Sequence, residues 1–146
     1  MKIILGSTSP FRKALLERLN IAFTCEAPNI DETPLDNEAV EDMVIRLAVA
    51  KAQAISANHD NALIIGSDQS AVLDGEILSK PGNFENAFKQ LTRASGKTIT
   101  FQTGLCLLNT QTGNIQSSCT HYNVVFKTLT PAMIENYLHK EEPYNC

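Results

Sequence analysis

The pattern of apolar and polar positions predicts alternating strands and helices. A β-rich run covers residues 2–6, and residues 62–66 form an unbroken apolar run typical of a strand buried on both faces of a sheet. Between about residues 37 and 57 the apolar positions recur at helical spacing, which predicts a long helix capped by Asp36 or Asn37. A further strand is predicted at about 21–27.

Turn residues predict the other elements. Asp74-Gly75 indicates a hairpin over residues 70–78, and residues 97–109 and 115–127 are predicted to pair as a long antiparallel hairpin. Helices are predicted at 83–94 and from Thr130-Pro131 to about His139. The expected fold is therefore α/β, with a twisted, partly antiparallel sheet flanked by helices and a cleft, in one domain spanning residues 1–146.

The first predicted helix begins at a recognisable start signal. Ser9 suits the N-cap and Pro10 the first helical position. The apolar residues Leu15, Leu16 and Leu19 predict a buried stripe on this helix, and Asn20 is a plausible stop.

Composition narrows the class of partner. The formal net charge is −4, from 12 Lys and Arg against 16 Asp and Glu. This balance argues against a broad basic surface for nucleic acid or for an anionic membrane, so a few placed cations must hold any anionic ligand. No apolar run is long enough for a signal peptide or a membrane span, which favours the cytoplasm.

The cysteines do not form a metal-binding or disulfide pattern. Cys25, Cys106, Cys119 and Cys146 are scattered without a C-x-x-C pair, and no histidine lies at zinc-ligand spacing beside them. We expect reduced thiols.

A candidate anion site follows the first strand. Ser7 and Ser9 lie in the turn between a strand and a helix N-terminus, where backbone N–H groups are free, and Arg12 adds a donor fork suited to phosphate. The turn matches neither a dinucleotide-binding fingerprint nor a P-loop. An ordinary capped helix with a solvated Arg is the alternative.

Lys51 is the second candidate. It falls among Val44, Leu47 and Ile55 on the apolar face of the long helix, where an unpaired ammonium would be costly. Either Lys51 lies at the base of a pocket for an anionic ligand, or its side chain extends past the helix into water.

Carboxylates form the third candidate. Asp68 is predicted just past the end of the 62–66 strand, the edge at which α/β sheets bind ligands, and Glu32 lies on a neighbouring loop. Such a pair suits Mg²⁺, although many single Asp residues are simple turn formers. Lys80, beside Pro81, adds a cation near a rigid bend. Together these residues favour a metal–polyphosphate site.

The same residues resemble those of the Maf family of nucleoside triphosphate pyrophosphatases, which are structurally akin to inosine-triphosphatase-like enzymes. The matching motifs are Leu5-Gly6-Ser7-Thr8-Ser9-Pro10-Phe11-Arg12, Asp31-Glu32-Thr33-Pro34, Arg46-Leu47-Ala48 leading to Lys51-Ala52, Gly66-Ser67-Asp68-Gln69 and Ser79-Lys80-Pro81. The ordered set is specific, and the resemblance covers the whole chain.

The resemblance implies hydrolysis between the α- and β-phosphates with a divalent metal, Mg²⁺ or Mn²⁺. It implies that Asp68 accepts a proton, that Glu32 and Asp68 bind metal or water, that Arg12, Lys51 and Lys80 contact phosphates, and that Ser7 and Ser9 line the same turn. Family members continue beyond Cys146, so the resemblance leads us to expect that this sequence lacks a C-terminal segment of the nucleotide pocket.

Two residues indicate a branch of the family. Gln69, and the aromatic Phe11 before Arg12, resemble the branch that acts on 7-methyl-GTP, although Trp is usual at the place of Phe11. Phe11 could stack on a cationic methylated purine, and Gln69 could hydrogen-bond a base edge. A core contact is the alternative for Phe11.

The expected function is clearance of 7-methyl-GTP from the nucleotide pool. Hydrolysis of dTTP or UTP is the enzymatic alternative, and a nucleotide-binding regulator of cell division is the non-enzymatic one. The expected partner is a nucleotide substrate, and the long hairpin could offer a homodimer surface.

Overall fold

The computed structural model of the chain describes residues 1–143, which contain six strands and four helices. In chain order these are β1 (Lys2–Leu5), α1 (Pro10–Glu17), β2 (Thr24–Cys25), α2 (Val40–Ser56), β3 (Ala62–Leu73), β4 (Glu76–Leu78), α3 (Phe84–Ala94), β5 (Thr98–Asn109), β6 (Ile115–Val125) and α4 (Pro131–Glu141). The chain divides into two compact units. Unit 1 contains residues 1–69 and 102–120, and unit 2 contains residues 70–101 and the chain from His121 onward.

Unit 1 is built on a mixed sheet with the strand order β2-β1-β3-β5-β6. β1 runs parallel to both neighbours, with Ile4 opposite Thr24 on β2 and Ile64 on β3. The predicted long hairpin is present, and its turn is closed where Asn109 N donates to Asn114 O at 2.9 Å. The prediction of an α/β fold with a partly antiparallel sheet is therefore confirmed.

Two strand boundaries differ from the sequence prediction. The strand predicted at 21–27 is reduced to Thr24–Cys25. The strand predicted at 62–66 continues to Leu73, so Asp68 lies within β3 and not past its end. The physical reason is a change of partner along β3: residues 62–65 pair with β1, and residues 71–73 pair with β4.

The helix ends also differ in part from the prediction. Ser9 caps α1 as expected, but no residue of α1 is buried, and Leu15 and Leu19 are exposed, so the predicted buried stripe is wrong for the described residues. Helix α2 begins after Ala39, whose methyl side chain cannot accept a cap hydrogen bond. The prediction that Asp36 or Asn37 caps this helix is therefore wrong, because the helix begins two to three residues later than those positions require.

Helix α2 packs directly on the sheet of unit 1 because two glycines leave room for its backbone. A Cβ at Gly66 would fall inside contact distance of Ala48 O, and one at Gly104 would collide with Val44 O. Ala48 and Ala52 are both fully buried, and their small side chains let the helix backbone approach the sheet closely. The close approach brings Lys51, on the same helix, down to the level of β3.

Unit 2 confirms three predicted features. β3 and β4 form the hairpin across Asp74-Gly75, both of which adopt positive φ, and α3 is capped by Asn83. Helix α4 begins after the cap Thr130. The core of this unit contains Leu73, Ala94, Ile99, Ala87, Ile134 and Leu138.

Cys25, Cys106 and Cys119 are free thiols, as predicted, and Cys146 lies outside the described residues. Within residues 1–143, no helix combines the length and the apolar character that a membrane crossing needs.

Candidate active site

The turn between β1 and α1 is held by its own hydroxyl groups. Ser7 Oγ accepts from Ser9 N at 3.0 Å and from Arg12 Nη1 at 3.4 Å, and Ser9 Oγ accepts from Arg12 N at 3.4 Å. Ser7 is buried, whereas Ser9 and Arg12 are half-buried. The Arg12 guanidinium is therefore held against the turn at the N-terminus of α1. The guanidinium charge and the positive end of the helix dipole lie next to each other there.

Lys51 Nζ in unit 1 contacts three oxygen atoms, two of them from carboxylates. The ammonium donates to Ser67 O at 3.1 Å and to Asp68 Oδ1 at 3.1 Å, and its distance to Glu32 Oε1 is 2.9 Å. An ammonium has three donors, and three oxygen atoms surround this one. Lys51 is only 6% exposed, so the alternative of a side chain extending into water is wrong.

The two carboxylates of this cluster differ in their access to solvent. The side chain of Asp68 is 13% exposed and that of Glu32 is 57% exposed. Asp68 is fixed by β3, beyond Leu5↔Ile65, the last pair between β1 and β3. It therefore lies at the carboxyl end of the parallel strands, as expected, although the residues around it are extended.

Asp68 and Glu32 offer carboxylate oxygens that could hold a divalent metal ion beside Lys51. Asp68 Oδ1, Glu32 Oε1 and Ser67 O all lie within 3.1 Å of Lys51 Nζ, so the ammonium itself occupies the point that these three atoms share. Carboxylate and carbonyl oxygens are the ligands that Mg²⁺ and Mn²⁺ prefer. Glu32 is exposed and can follow a bound ion without leaving a buried charge behind.

The loop that carries Glu32 is organised by hydrogen bonds on both sides of it. Asp31 Oδ1 accepts from Thr33 Oγ1 at 2.6 Å and from Thr33 N at 2.9 Å. These bonds hold the pKa of Asp31 below its ordinary value, and the bond from the Thr33 hydroxyl has the larger effect. Arg46, on α2, donates to Thr33 O and to Glu38.

The Glu38–Arg46 pair has perturbed pKa values on both sides. The hydrogen bond from Arg46 lowers the pKa of Glu38, and the bond to Glu38 raises the pKa of Arg46, each against a smaller effect of desolvation. Both groups are therefore charged at neutral pH.

Phe11 and Gln69 are the two residues expected to select the base, and neither is among the contacts of Lys51 Nζ. Phe11 is 65% exposed, so the alternative of a core contact is wrong, and its ring is available to a ligand. Gln69 follows Asp68 on β3, so strand alternation directs it to the opposite face of the sheet. There Gln69 Nε2 donates to Thr103 Oγ1 at 2.9 Å.

Lys80 belongs to unit 2 and is exposed in the segment between β4 and α3. Its neighbours Ser79 and Pro81 line a cavity of about 250 Å³ in that unit, whose wall is mostly apolar. Unit 1 thus brings Glu32, Lys51 and Asp68 together, with the Ser7–Arg12 turn on the adjacent strand.

Sequence reasoning missed the structural importance of two residues. The sequence marks Arg46 only as part of a motif. Its place five residues before Lys51 on the same helix is the signal that links it to the site. Gln102 Oε1, on β5, is buried and has no hydrogen-bond partner among residues 1–143. Gln102 shares the helix-facing side of β5 with Gly104, and nothing in the sequence indicated an unpaired acceptor there.

The fold and this cluster define a class: a mixed α/β protein whose sheet edge gathers carboxylates and an ammonium. The Ham1 protein of Staphylococcus aureus has a similar fold, with a TM-score of 0.57 at 12% identity over 86% of this chain and 71% of that one. A HAM1 protein from Coxiella burnetii gives 0.56 at 14% identity over 86% and 72%.

Sequence comparison identifies the family within that class. The Maf-like protein family model matches residues 2–146, and the chain belongs to this family. A protein of Pseudomonas syringae pv. syringae (strain B728a) named 7-methyl-GTP pyrophosphatase is 51% identical over 144 residues, which cover 99% of this chain and 75% of that protein. The resemblance seen in the motifs is confirmed.

Proposed function

We propose that the protein is a nucleoside triphosphate pyrophosphatase that hydrolyses 7-methyl-GTP to 7-methyl-GMP and pyrophosphate. The observation that carries the proposal is the contact of Lys51 with both Asp68 and Glu32 in a chain that is 51% identical to a protein of that name. Nucleotide pyrophosphatases are hydrolases acting on acid anhydrides, and the soluble nucleotide pool makes the cytoplasm the proposed place of action.

The charges support a polyphosphate substrate. Arg12, Lys51 and Lys80 are the proposed phosphate contacts, and Ser7 and Ser9 line the turn beside Arg12. A guanidinium grips two phosphate oxygens at once, whereas an ammonium acts as a point charge. The net charge of −4 supports a small nucleotide rather than a nucleic-acid polymer as the ligand.

Asp68 and Glu32 are the proposed holders of a divalent metal ion, Mg²⁺ or Mn²⁺. When bound, such an ion neutralises phosphate charge and makes a coordinated water easier to deprotonate. The fit rests on the three oxygen atoms gathered around Lys51 Nζ.

In the proposed reaction a water oxygen forms a bond to the α-phosphorus, and the bond from that phosphorus to the bridging oxygen breaks. Asp68 accepts the water's proton, and the pair of electrons leaves with pyrophosphate. Lys51, 3.1 Å from Asp68 Oδ1, keeps that carboxylate oriented and stabilises charge that develops on the phosphates. Arg12 supports the departing charge from the turn before α1.

Base selection is proposed for Phe11 and Gln69. The exposed ring of Phe11 can stack on 7-methylguanine, whose positive charge is attracted to an aromatic face. Gln69 Nε2 is bonded to Thr103 Oγ1, and the amide has further donor and acceptor capacity with which it can hydrogen-bond a base edge.

The test is pyrophosphate release from a panel of nucleotides by the purified protein. The proposal predicts that kcat/KM for 7-methyl-GTP exceeds that for GTP, dTTP and UTP. A preference for dTTP or UTP would show the related activity of the same family and contradict the proposed substrate. Nucleotide binding without turnover would favour a regulator.

A further inference from the structure

Glu32 has no regular element to hold its backbone. It lies between α1 and α2 in a segment where the structure has neither helix nor strand, apart from β2, and its side chain is 57% exposed. Nevertheless its Oε1 lies 2.9 Å from Lys51 Nζ. Since packing holds an exposed side chain only weakly, the conformation of the loop backbone limits where this carboxylate can reach.

Arg46 supplies the link from this loop to a rigid element. It belongs to α2, and its Nη2 donates to Thr33 O, the carbonyl of the residue after Glu32, at 3.3 Å. Lys51 lies five residues further along the same helix. The helix therefore holds both the ammonium and the arginine that fixes the loop, so one rigid body sets the distance between Lys51 and Glu32.

Glu38 holds the guanidinium in place for this contact. Its Oε2 accepts from Arg46 Nε at 2.6 Å and its Oε1 from Arg46 Nη2 at 2.9 Å, which is a bidentate pair. Glu38 Oε1 also accepts from Leu35 N at 3.2 Å, so the same carboxylate ties down the far end of the loop. The Glu38 side chain is only 9% exposed, which limits its competition with water.

The other side of Glu32 is closed by Asp31. Its carboxylate accepts both the backbone N–H and the hydroxyl of Thr33, which closes a tight turn around Glu32. The Thr33 N–H, bound to Asp31, belongs to the peptide group that follows Glu32, and the Thr33 carbonyl, bound to Arg46, belongs to the next one, so both peptide groups after Glu32 are held.

We infer that Arg46 is a positioning residue that sets Glu32 against Lys51 and Asp68, and so tunes the affinity of this carboxylate pair for a divalent cation. The inference deepens the proposed function and rests on it for the reaction, but cation binding can be measured without turnover. Lysine cannot replace Arg46, because one ammonium cannot bind Glu38 in a bidentate way and also reach Thr33 O in a fixed plane.

The competing explanation is that Arg46 and Glu38 form an ion pair that only stabilises the fold. Ion pairs at the protein surface contribute roughly 0–1 kcal/mol, with no particular effect on a metal site. The Arg93–Glu76 pair of unit 2, with an N–O distance of 3.1 Å, is more exposed than Arg46–Glu38 and serves as a control for the loss of a surface ion pair.

The experiment measures Mn²⁺ binding in the absence of nucleotide, by electron paramagnetic resonance of the free ion, together with the thermal unfolding midpoint. Arg46→Lys is expected to raise the Mn²⁺ Kd roughly 10-fold, as loss of an outer partner of a metal ligand does. Arg93→Lys is expected to leave the Kd unchanged. If Arg46→Lys binds Mn²⁺ with the same Kd as the unaltered protein, the inference is overturned.

A double-mutant cycle separates positioning from plain stability. If Arg46 acts through Glu32, then Arg46→Lys adds nothing to the Mn²⁺ Kd once Glu32→Gln has removed the carboxylate. Fully additive effects would overturn the inference. Glu38→Gln keeps Arg46 but weakens the bidentate pair that holds it. This variant is expected to raise the Mn²⁺ Kd by a smaller factor than Arg46→Lys does. It replaces the Arg46 variants in the experiment if those fold poorly.

Turnover distinguishes this inference from the proposed function. A protein that binds Mn²⁺ through the Arg46-dependent site but releases no pyrophosphate from any nucleotide would contradict the proposed function and uphold the inference. If the protein turns over 7-methyl-GTP and Arg46→Lys changes neither kcat nor the Mn²⁺ Kd, the proposed function is upheld and the inference about Arg46 is contradicted.

Discussion

Lys51 Nζ lies 3.1 Å from Asp68 Oδ1, and this buried ion pair joins helix α2 to strand β3. Burying two charges costs solvation free energy, which a good pair with further hydrogen bonds roughly offsets. Here Ser67 O and Glu32 Oε1 supply the further contacts. The arrangement gains little stability over an apolar core, which is consistent with its retention for chemistry.

Replacement of Asp68 by Asn tests its role as proton acceptor. The amide cannot take a proton from water, so we expect kcat to fall by roughly 10²–10⁴-fold. The amide oxygen still accepts from Lys51, and stability should fall by only about 1 kcal/mol. Pyrophosphate release and thermal unfolding measure the two effects. Unchanged turnover would contradict the assignment.

Loss of the ammonium has a different signature. Lys51→Met leaves Asp68 buried without its partner, and we expect a loss of about 3 kcal/mol in the free energy of unfolding. Because the oxygen atoms that surrounded the ammonium can then accept a metal ion, added Mn²⁺ should raise the unfolding midpoint of this variant more than that of the unaltered protein. An equal Mn²⁺ response in both would show that the ammonium does not compete with the ion for these oxygens.

The close contact between α2 and β3 predicts a strong effect at Gly66. A methyl group there would collide with Ala48 O, and Ala52 N would lie only 3.1 Å away. Gly66→Ala should destabilise the protein by about 3 kcal/mol. Urea unfolding measures this loss.

Gly82→Ala is the matched control for that variant. Gly82 has a φ of +74° and no atom within 4 Å of the added Cβ, so only backbone strain of about 1 kcal/mol is expected. Similar losses in the two variants would contradict the packing argument.

The chain order of strands and helices could be predicted from sequence because its signals are local. Ser9, Asn83 and Thr130 each cap a helix by hydrogen-bonding a backbone N–H nearby, and Asp74-Gly75 makes its own turn. The exposed face of α1 could not be predicted, since burial of Leu15 and Leu19 depends on whether another element covers them.

The site was predictable in part for the same reason. An ammonium among apolar helix positions requires neutralisation, which singled out Lys51, and Asp68 was singled out separately by its place after a buried apolar run. The position of Asp68 inside a longer strand depends on pairing with β4, a non-local fact. The contact of Arg46 with Thr33 O depends on a loop conformation that no periodic pattern encodes.

The hydrogen bonds of the Glu32 loop predict how stability changes in acid. The folded-state pKa of Glu38 lies below its ordinary value of 4.5 because of the bond from Arg46. A lowered folded pKa contributes stability that is complete above the unfolded value and is lost as the pH falls through the folded one. The difference in unfolding midpoint between the unaltered protein and Glu38→Gln should therefore be constant near pH 7 and shrink below pH 4.5. A difference that grows in acid would contradict this sign.

The proposed reaction is hydrolysis between the α- and β-phosphates with Asp68 as the proton acceptor. The most direct measurement is ³¹P NMR of the products formed from 7-methyl-GTP by the protein and by Asp68→Asn under the same conditions. We predict equal amounts of 7-methyl-GMP and pyrophosphate from the protein, and almost none from the variant. Formation of 7-methyl-GDP and orthophosphate, or equal turnover by Asp68→Asn, would contradict the account.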